Sequence, residues 1–353
     1  MKVRVGNACW HAAHVQDSVV ASEANFFAQE GIDGDVVTAR IYPQGLNASR
    51  PGGGRYDESP YVLQDMTRHN IDIVTDVELA TILLDHLEGR DELRIIGVWR
   101  NQETSAFVAA PGFNSMDKLK GKRIGVWVPG TEKSLWLEWT VRKAGLNPQS
   151  DVQWVVGYQY GSAREAANPL REGKTDAAIV SLDWVPALLE EGFHQLFNFL
   201  EGYPHGRPAR LTVARQSFID RNPEIIKRYW KAAIRAFQYM RIVPEHYPFL
   251  RYCEAKLRIN NPDQHERMRQ LKPMKMWEYY HGSMNGQPTI EGLEQHLDEV
   301  KGTGKLLPTV TLDDVQAVLR LEFVWEAWEE LQPRDEIKRN LERLAPVIER
   351  YGF

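Results

Sequence analysis

The strongest constraint on this chain is a rhythm of short apolar strands alternating with helix-spaced segments over its first two hundred residues. KVRVG reads as a strand, and VQDSVVASEANFFAQEG follows with Val19, Val20, Phe26 and Phe27 on one helical face and Gly31 as a C-terminal cap. DGDVVTARIY, IDIVTD and LRIIGVWR are the next strands, with helices at YVLQDMTRHN and VELATILLDHLEG between them. Strands separated by helices cannot pair as hairpins, so a mainly parallel sheet is expected. The rhythm restarts with SAFVAAP, KRIGVWV, the helix GTEKSLWLEWTVRKAG, VQWVVG and DAAIVS, giving a second α/β unit over about 104–215. Beyond it the chain is mostly helical. Asp220 or Asn222 stands as an N-cap before Pro223, and the amphipathic tail carries Trp325 and Trp328.

With 353 residues, 43% of them hydrophobic, the chain can fill two lobes. A net charge of −5 with no basic run argues against nucleic acid or an anionic membrane as a partner. Cys9 and Cys253 are too few and too far apart to form a disulfide framework. MKVRVGNACWHAAHVQDS lacks the basic, apolar and small-residue order of an export leader, so a cytoplasmic location is expected; a leader removed before this start is the alternative. RPGGGRYDESP lacks the Lys-Ser/Thr of a phosphate loop and reads as a loop beside a cleft, either a lid or simply solvated.

Three segments in order, LKGKRIGVWVPGTEKSLWLEW, REGKTDAAIVSLDWVPALLEEG and TVARQSFIDRNPEIIKRYWKAAIRAF, resemble the type II periplasmic-binding-protein fold. The similar branch holds sulfonate, taurine and nitrate binding proteins and the thiamine pyrimidine synthases, whose Cys-rich iron motif is absent here. The resemblance implies a two-lobed α/β fold with a helical C-terminal extension, closing on a ligand like a hinge. Lobe one would comprise 1–103 plus 219–353 and lobe two 104–218, with crossings near Glu103–Phe107 and Arg215–Ile219. Ligands of open α/β sheets bind outside the carboxyl ends of the strands.

Those strand ends supply the candidate site. Strand one ends in GNACWHAAH, with Cys9, Trp10, His11 and His14. Asp76 ends strand three, and Gly130, Thr131 and Glu132 open a helix whose free N–H groups favour an anion. Tyr158, Tyr160, Asp183 and Trp184 follow two further strands, with Trp10 and Trp184 as a stacking pair for a planar ligand. Trp136 and Trp139 sit at helical spacing and are expected in the core. Cys9 is either a small buried residue or a thiol activated by a neighbouring His. The C-x-H-x-x-H spacing is too tight for zinc, so no metal is expected.

Enzyme members of the fold deepen the resemblance. Aromatic sulfinate desulfinases keep a catalytic Cys in the first strand-to-helix loop and an Arg before strand three, matching Cys9 and the Arg68 of MTRHNIDIV. The histidine those enzymes carry upstream of the Arg is replaced near Glu58 and Ser59, so His11, His14 or His69 would substitute. Dihydroxyphthalate decarboxylases are similar through LKGKRIGVWV. The expected chemistry is cofactor-independent loss of CO2 or sulfite from a small aromatic or heteroaromatic acid, with Cys9 or His11 as general acid and Arg68 as a two-pronged anion clamp. The other class is a binding protein that delivers a small anionic or aromatic ligand to an ABC importer. The helical tail is a candidate homodimer surface.

Overall fold

The computed structural model describes residues 1–7, 18–38, 63, 66–67, 69–101, 105–126, 132–161, 165–203, 205–208, 210–242, 286, 288–302 and 306–331. Two five-stranded sheets form the frame. The first contains β1 (Lys2–Asn7), β2 (Asp33–Thr38), β3 (Ile73–Val77), β4 (Leu93–Arg100) and, from much later in the chain, β10 (Arg210–Arg215). The second contains β5 (Ser105–Ala109), β6 (Arg123–Val126), β7 (Gln153–Val156), β8 (Ala177–Ser181) and β9 (His194–Asn198).

Strand order repeats between the sheets although the sequence shows no repeat. Sheet one runs β2-β1-β3-β10-β4 and sheet two β7-β6-β8-β5-β9. Within each, the first three strands of the unit are parallel, with Val5 opposite Val36 and Ile73 in one and Gly125 opposite Val155 and Ala178 in the other. The fourth place is taken by an antiparallel strand: β10 between β3 and β4, and β5 between β8 and β9. Each inserted strand reaches its sheet directly from the other half of the molecule.

The strands of the first hundred residues run the same way, as expected, with β10 inserted antiparallel between β3 and β4. One expectation from sequence is corrected here. The return crossing does not lie at 215–219: β10 is already paired with β4 from Arg210 and with β3 from Leu211, and Phe218 and Ile219 are buried in the core of the first unit. Residues 210–218 therefore pack with lobe one. The helix after β1 also breaks, into Ser18–Glu23 and Phe26–Gln29, where Asn25 takes a left-handed φ of 62°. Val19, Val20 and Phe27 nonetheless reach the core.

Burial explains the strands. All five residues of β5 are buried, with Ala106 and Val108 facing one cluster and Phe107 and Ala109 the other, as in a strand covered on both faces. Sheet one is likewise covered twice. On one side helix Pro223–Ile242, which Pro223 opens as expected, packs Ile226, Tyr229, Trp230 and Phe237 against Val3, Val5 and Ile96. On the other side helix Leu79–Leu87 lies beside the C-terminal helices Ile290–Gly302 and Leu312–Ala317. Helix Glu322–Leu331 returns to the first side through Phe323 and Val324. Between these helices the backbone at 318–320 pairs with the outer edge of β4, Ile95 N–H donating to Val318 O at 2.9 Å and Arg320 N–H to Ile95 O at 2.8 Å. No described helix is long and apolar enough to cross a membrane.

Helix Pro223–Ile242 can approach β4 because Gly97 has no side chain. A Cβ there would lie 2.1 Å from Cζ2 of Trp230, which is fully buried. Gly97→Ala is expected to lower stability by ~1–3 kcal/mol through overpacking, read as a lower urea midpoint at unchanged slope.

Candidate ligand cleft and the junction beside it

Register alone places the cleft. β4 ends at Arg100 and β5 begins at Ser105, which pairs with Ser181 at the carboxyl end of β8. On the return, Arg210 pairs with Arg100, and Leu211 with Val77 at the carboxyl end of β3. The carboxyl-end edges of both sheets therefore face one gap, spanned by two short crossings. Helices Leu79–Leu87 and Glu132–Lys143 start from strand ends at this gap, so their free N–H groups lie on its side.

Of the residues expected to line the gap, Cys9, Trp10, His11, His14, Arg68, Gly130 and Thr131 lie outside the described residues. Asp76 is in β3, Glu132 opens its helix, Tyr158 begins helix Tyr158–Gly161 after β7, and Asp183 lies in the single turn Leu182–Trp184 after β8. Tyr160 is half-buried on that short helix. Trp184 is half-buried and carries the Arg171 guanidinium 5.1 Å from its ring centre, so one ring face is already engaged within lobe two. Trp136 is in the core as expected, whereas Trp139 is half-buried and packs towards Gly302.

The charged groups that the sequence reading missed sit where the crossings meet the C-terminal helix. Arg207 is fully buried and grips Glu299 with two parallel bonds, Nε to Oε2 at 2.9 Å and Nη2 to Oε1 at 2.8 Å. Tyr203 donates its hydroxyl to Glu299 Oε2 at 3.0 Å, and His296 Nδ1 lies 3.5 Å from the same oxygen. The Arg207 guanidinium stacks 3.8 Å from the Trp136 ring, which packs on Phe199 at 5.4 Å. Nearby, Arg210 meets Glu78 at 3.3 Å, both almost buried. Glu78, Trp136, Arg207, His296 and Glu299 border a void of about 10 Å³, at most one water wide, so this junction is packed and is not itself a ligand pocket.

Burial pushes the Glu299 carboxyl upward, but Arg207 and His296 outweigh it and hold the group below its ordinary value. Burial, reinforced by the Glu299 charge, pushes the Tyr203 phenol above its own. Tyr203 therefore serves as a donor and not as an acid near neutrality. Among the described residues no three His, Cys, Asp or Glu side chains gather to hold a metal ion.

The sheet orders and two crossings decide the fold. This chain has the type II periplasmic-binding-protein fold. Residues 78–246 match the family model described as NMT1/THI5 like. A protein of Bordetella bronchiseptica RB50 superposes with a TM-score of 0.60 at 19% identity, over 93% of this chain and 97% of that one. The periplasmic aliphatic sulphonate binding protein SsuA of Escherichia coli gives a TM-score of 0.59 at 15% identity, over 92% and 99%. The desulfurization enzyme DSZB gives 0.55 at 15% identity, over 93% and 99%, and a Cys-to-Ser mutant of it is known in complex with biphenyl-2-sulfinic acid. No curated protein matches the chain in sequence. The fold thus hosts both a sulphonate carrier and a sulfur-removing enzyme, and identities this low fix architecture alone.

Removing one member of a buried pair strands the other. Glu299→Gln is expected to cost ~3–5 kcal/mol in urea unfolding, and the joint change Arg207→Met with Glu299→Leu far less. Because the folded value of Glu299 lies below the unfolded one, its stabilisation is complete at neutral pH and is lost as pH falls through that lowered value. Thermal melts of the wild type taken down to about pH 3 should therefore drop more steeply than those of Glu299→Gln.

Proposed function

We propose that the chain binds a small aromatic or heteroaromatic acid between its lobes and removes CO2 or sulfite from it without a cofactor. The observation that carries this reading is the facing of the two carboxyl-end edges, fixed by the pairings Ser105–Ser181 and Leu211–Val77. Helix starts at 79 and 132 give that gap a preference for anions. In sequence, Cys9 and His11 follow directly on β1, which lies inside sheet one between β2 and β3. A thiol or imidazolium at that place would protonate the carbon as its bond to the acid group breaks, releasing CO2 from a carboxylate or, from a sulfinate, SO2 that adds water to become sulfite, while Arg68 would hold the acid's two oxygens.

A screen of aromatic carboxylates and sulfinates, followed by mass spectrometry, tests this. Turnover should release CO2 or sulfite, and Cys9→Ser should lower kcat ~100- to 10,000-fold with affinity little changed. Arg68→Ala should weaken substrate binding. Intact turnover in both Cys9→Ser and His11→Ala would remove those residues from the mechanism.

A carrier for a small organic anion is the second reading, supported by the likeness to sulphonate-binding proteins over nearly the whole chain. It predicts tight binding with the ligand recovered chemically unchanged.

A further inference from the structure

Helices Glu132–Lys143 and Ile290–Gly302 belong to different cores. The first packs Trp136, Leu137 and Val141 into lobe two, and the second packs Leu293, Leu297 and Val300 into lobe one. They meet where Gly302 approaches Trp139, so closely that a Cβ on the glycine would lie 2.9 Å from Cδ1 of the ring. Beside this contact lies a groove of about 680 Å³, walled by the two helices.

The walls carry opposite charge. Glu291, Glu294 and Asp298 recur at helical spacing along one wall. Arg142 and Lys143 stand on the other, with Lys143 Nζ 5.4 Å from the centre of the Trp139 ring. All five charges are exposed, and among the described residues none has an opposite charge within ion-pair distance. The helix dipoles account for part of this. Cations in a last turn and a carboxylate in a first turn are favourable, which covers Arg142, Lys143 and Glu291. Glu294 and Asp298 lie past the first turn, and Asp298 stands towards the negative end of its helix, where a carboxylate gains nothing. What these two do face is a cationic wall.

Opposite charges held apart across water attract weakly and gain as the gap narrows. When two lobes turn about a hinge, the spacing between elements of different lobes is what changes. We propose that Arg142 and Lys143, with Glu294 and Asp298, form an electrostatic latch between the lobes. In a second lobe arrangement the groove narrows and the two walls pair, so ionic strength sets how often that arrangement is occupied. Apparent affinity in the cleft then follows this population. The latch holds whatever the cleft binds, and whether or not the ligand is altered there.

Its test needs no ligand, so its failure is separate from failure of the lyase reading. Spin labels on ketone-bearing residues at exposed Glu92 in lobe one and Glu190 in lobe two report the interlobe distance by pulsed electron resonance, with the native cysteines untouched. Raising salt from about 0.02 to about 0.5 M should change the ratio of two distance populations in the wild type. Exposed pairs are individually weak, so a change of ~2- to 30-fold is expected for two of them. Arg142→Glu with Lys143→Glu should give the high-salt distribution at every salt concentration, with circular dichroism unchanged. Adding Glu294→Lys and Asp298→Lys should restore the wild-type salt response. Should the fourfold variant not fold, Arg142→Glu with Asp298→Lys carries the restoration. Arg171→Gln, which breaks an exposed ion pair within lobe two, should leave the wild-type response intact. A wild-type distribution indifferent to salt, a reversed wall that changes nothing, or a folded swap that fails to restore the response overturns the proposal.

Discussion

Everything in this molecule hangs on an exchange of strands. Each sheet needs a member inserted between its third and fourth strands, and that member arrives from the opposite half. β5 enters sheet two straight from the end of β4, and β10 enters sheet one after the whole of sheet two has been laid down. The exchange does more than tie the halves together. Because each inserted strand runs antiparallel to its neighbours, it must enter at their carboxyl ends, which turns those two edges towards each other. The gap between the lobes is thus a product of strand direction and does not depend on particular side chains.

That gap also explains why the junction beside it carries buried charge. Crossing segments cannot be paired as sheet, and their polar groups still require partners. Asn101 and Arg207 satisfy each other through backbone, while the Arg207 side chain is neutralised by Glu299 and laid on Trp136. Desolvating two ions is expensive, and replacement by apolar groups is often no worse for stability. What the pair contributes is geometry: a two-pronged bond has one good orientation, and it joins the return crossing to helix Ile290–Gly302.

The sequence disclosed the elements more fully than their neighbours. The strands at Lys2, Ile73, Leu93, Ser105, Arg123, Gln153 and Ala177 were legible from runs of Val, Ile and Ala, and Pro223 marked the start of its helix. Strand partners were less legible, because RLTVAR carries the same local signal whether it ends one lobe or sits inside the other. The helix break at Asn25 has no proline or glycine to announce it. Arg207 and Glu299 lie 92 residues apart, and neither has a motif around it, so only the fold brings them together. The candidate site was read from strand ends, and the description of the structure bears on its frame: β3, β7 and β8 end where expected, while the thiol and the clamp arginine fall outside the described residues.

The pairing of 318–320 with the outer edge of β4 has a consequence for synthesis. Sheet two is built from one contiguous stretch, 105–198, and can be completed as soon as that stretch leaves the ribosome. Sheet one must wait, first for β10 and then for a segment close to the end of the chain, before its last strand is flanked on both sides. The pairings of β10 with β3 and β4 span longer loops than any in sheet two, so β4 gains its partners late. Until then the exposed side of β4 is an open template for other chains, which makes the nascent, unfinished protein the form most prone to aggregate.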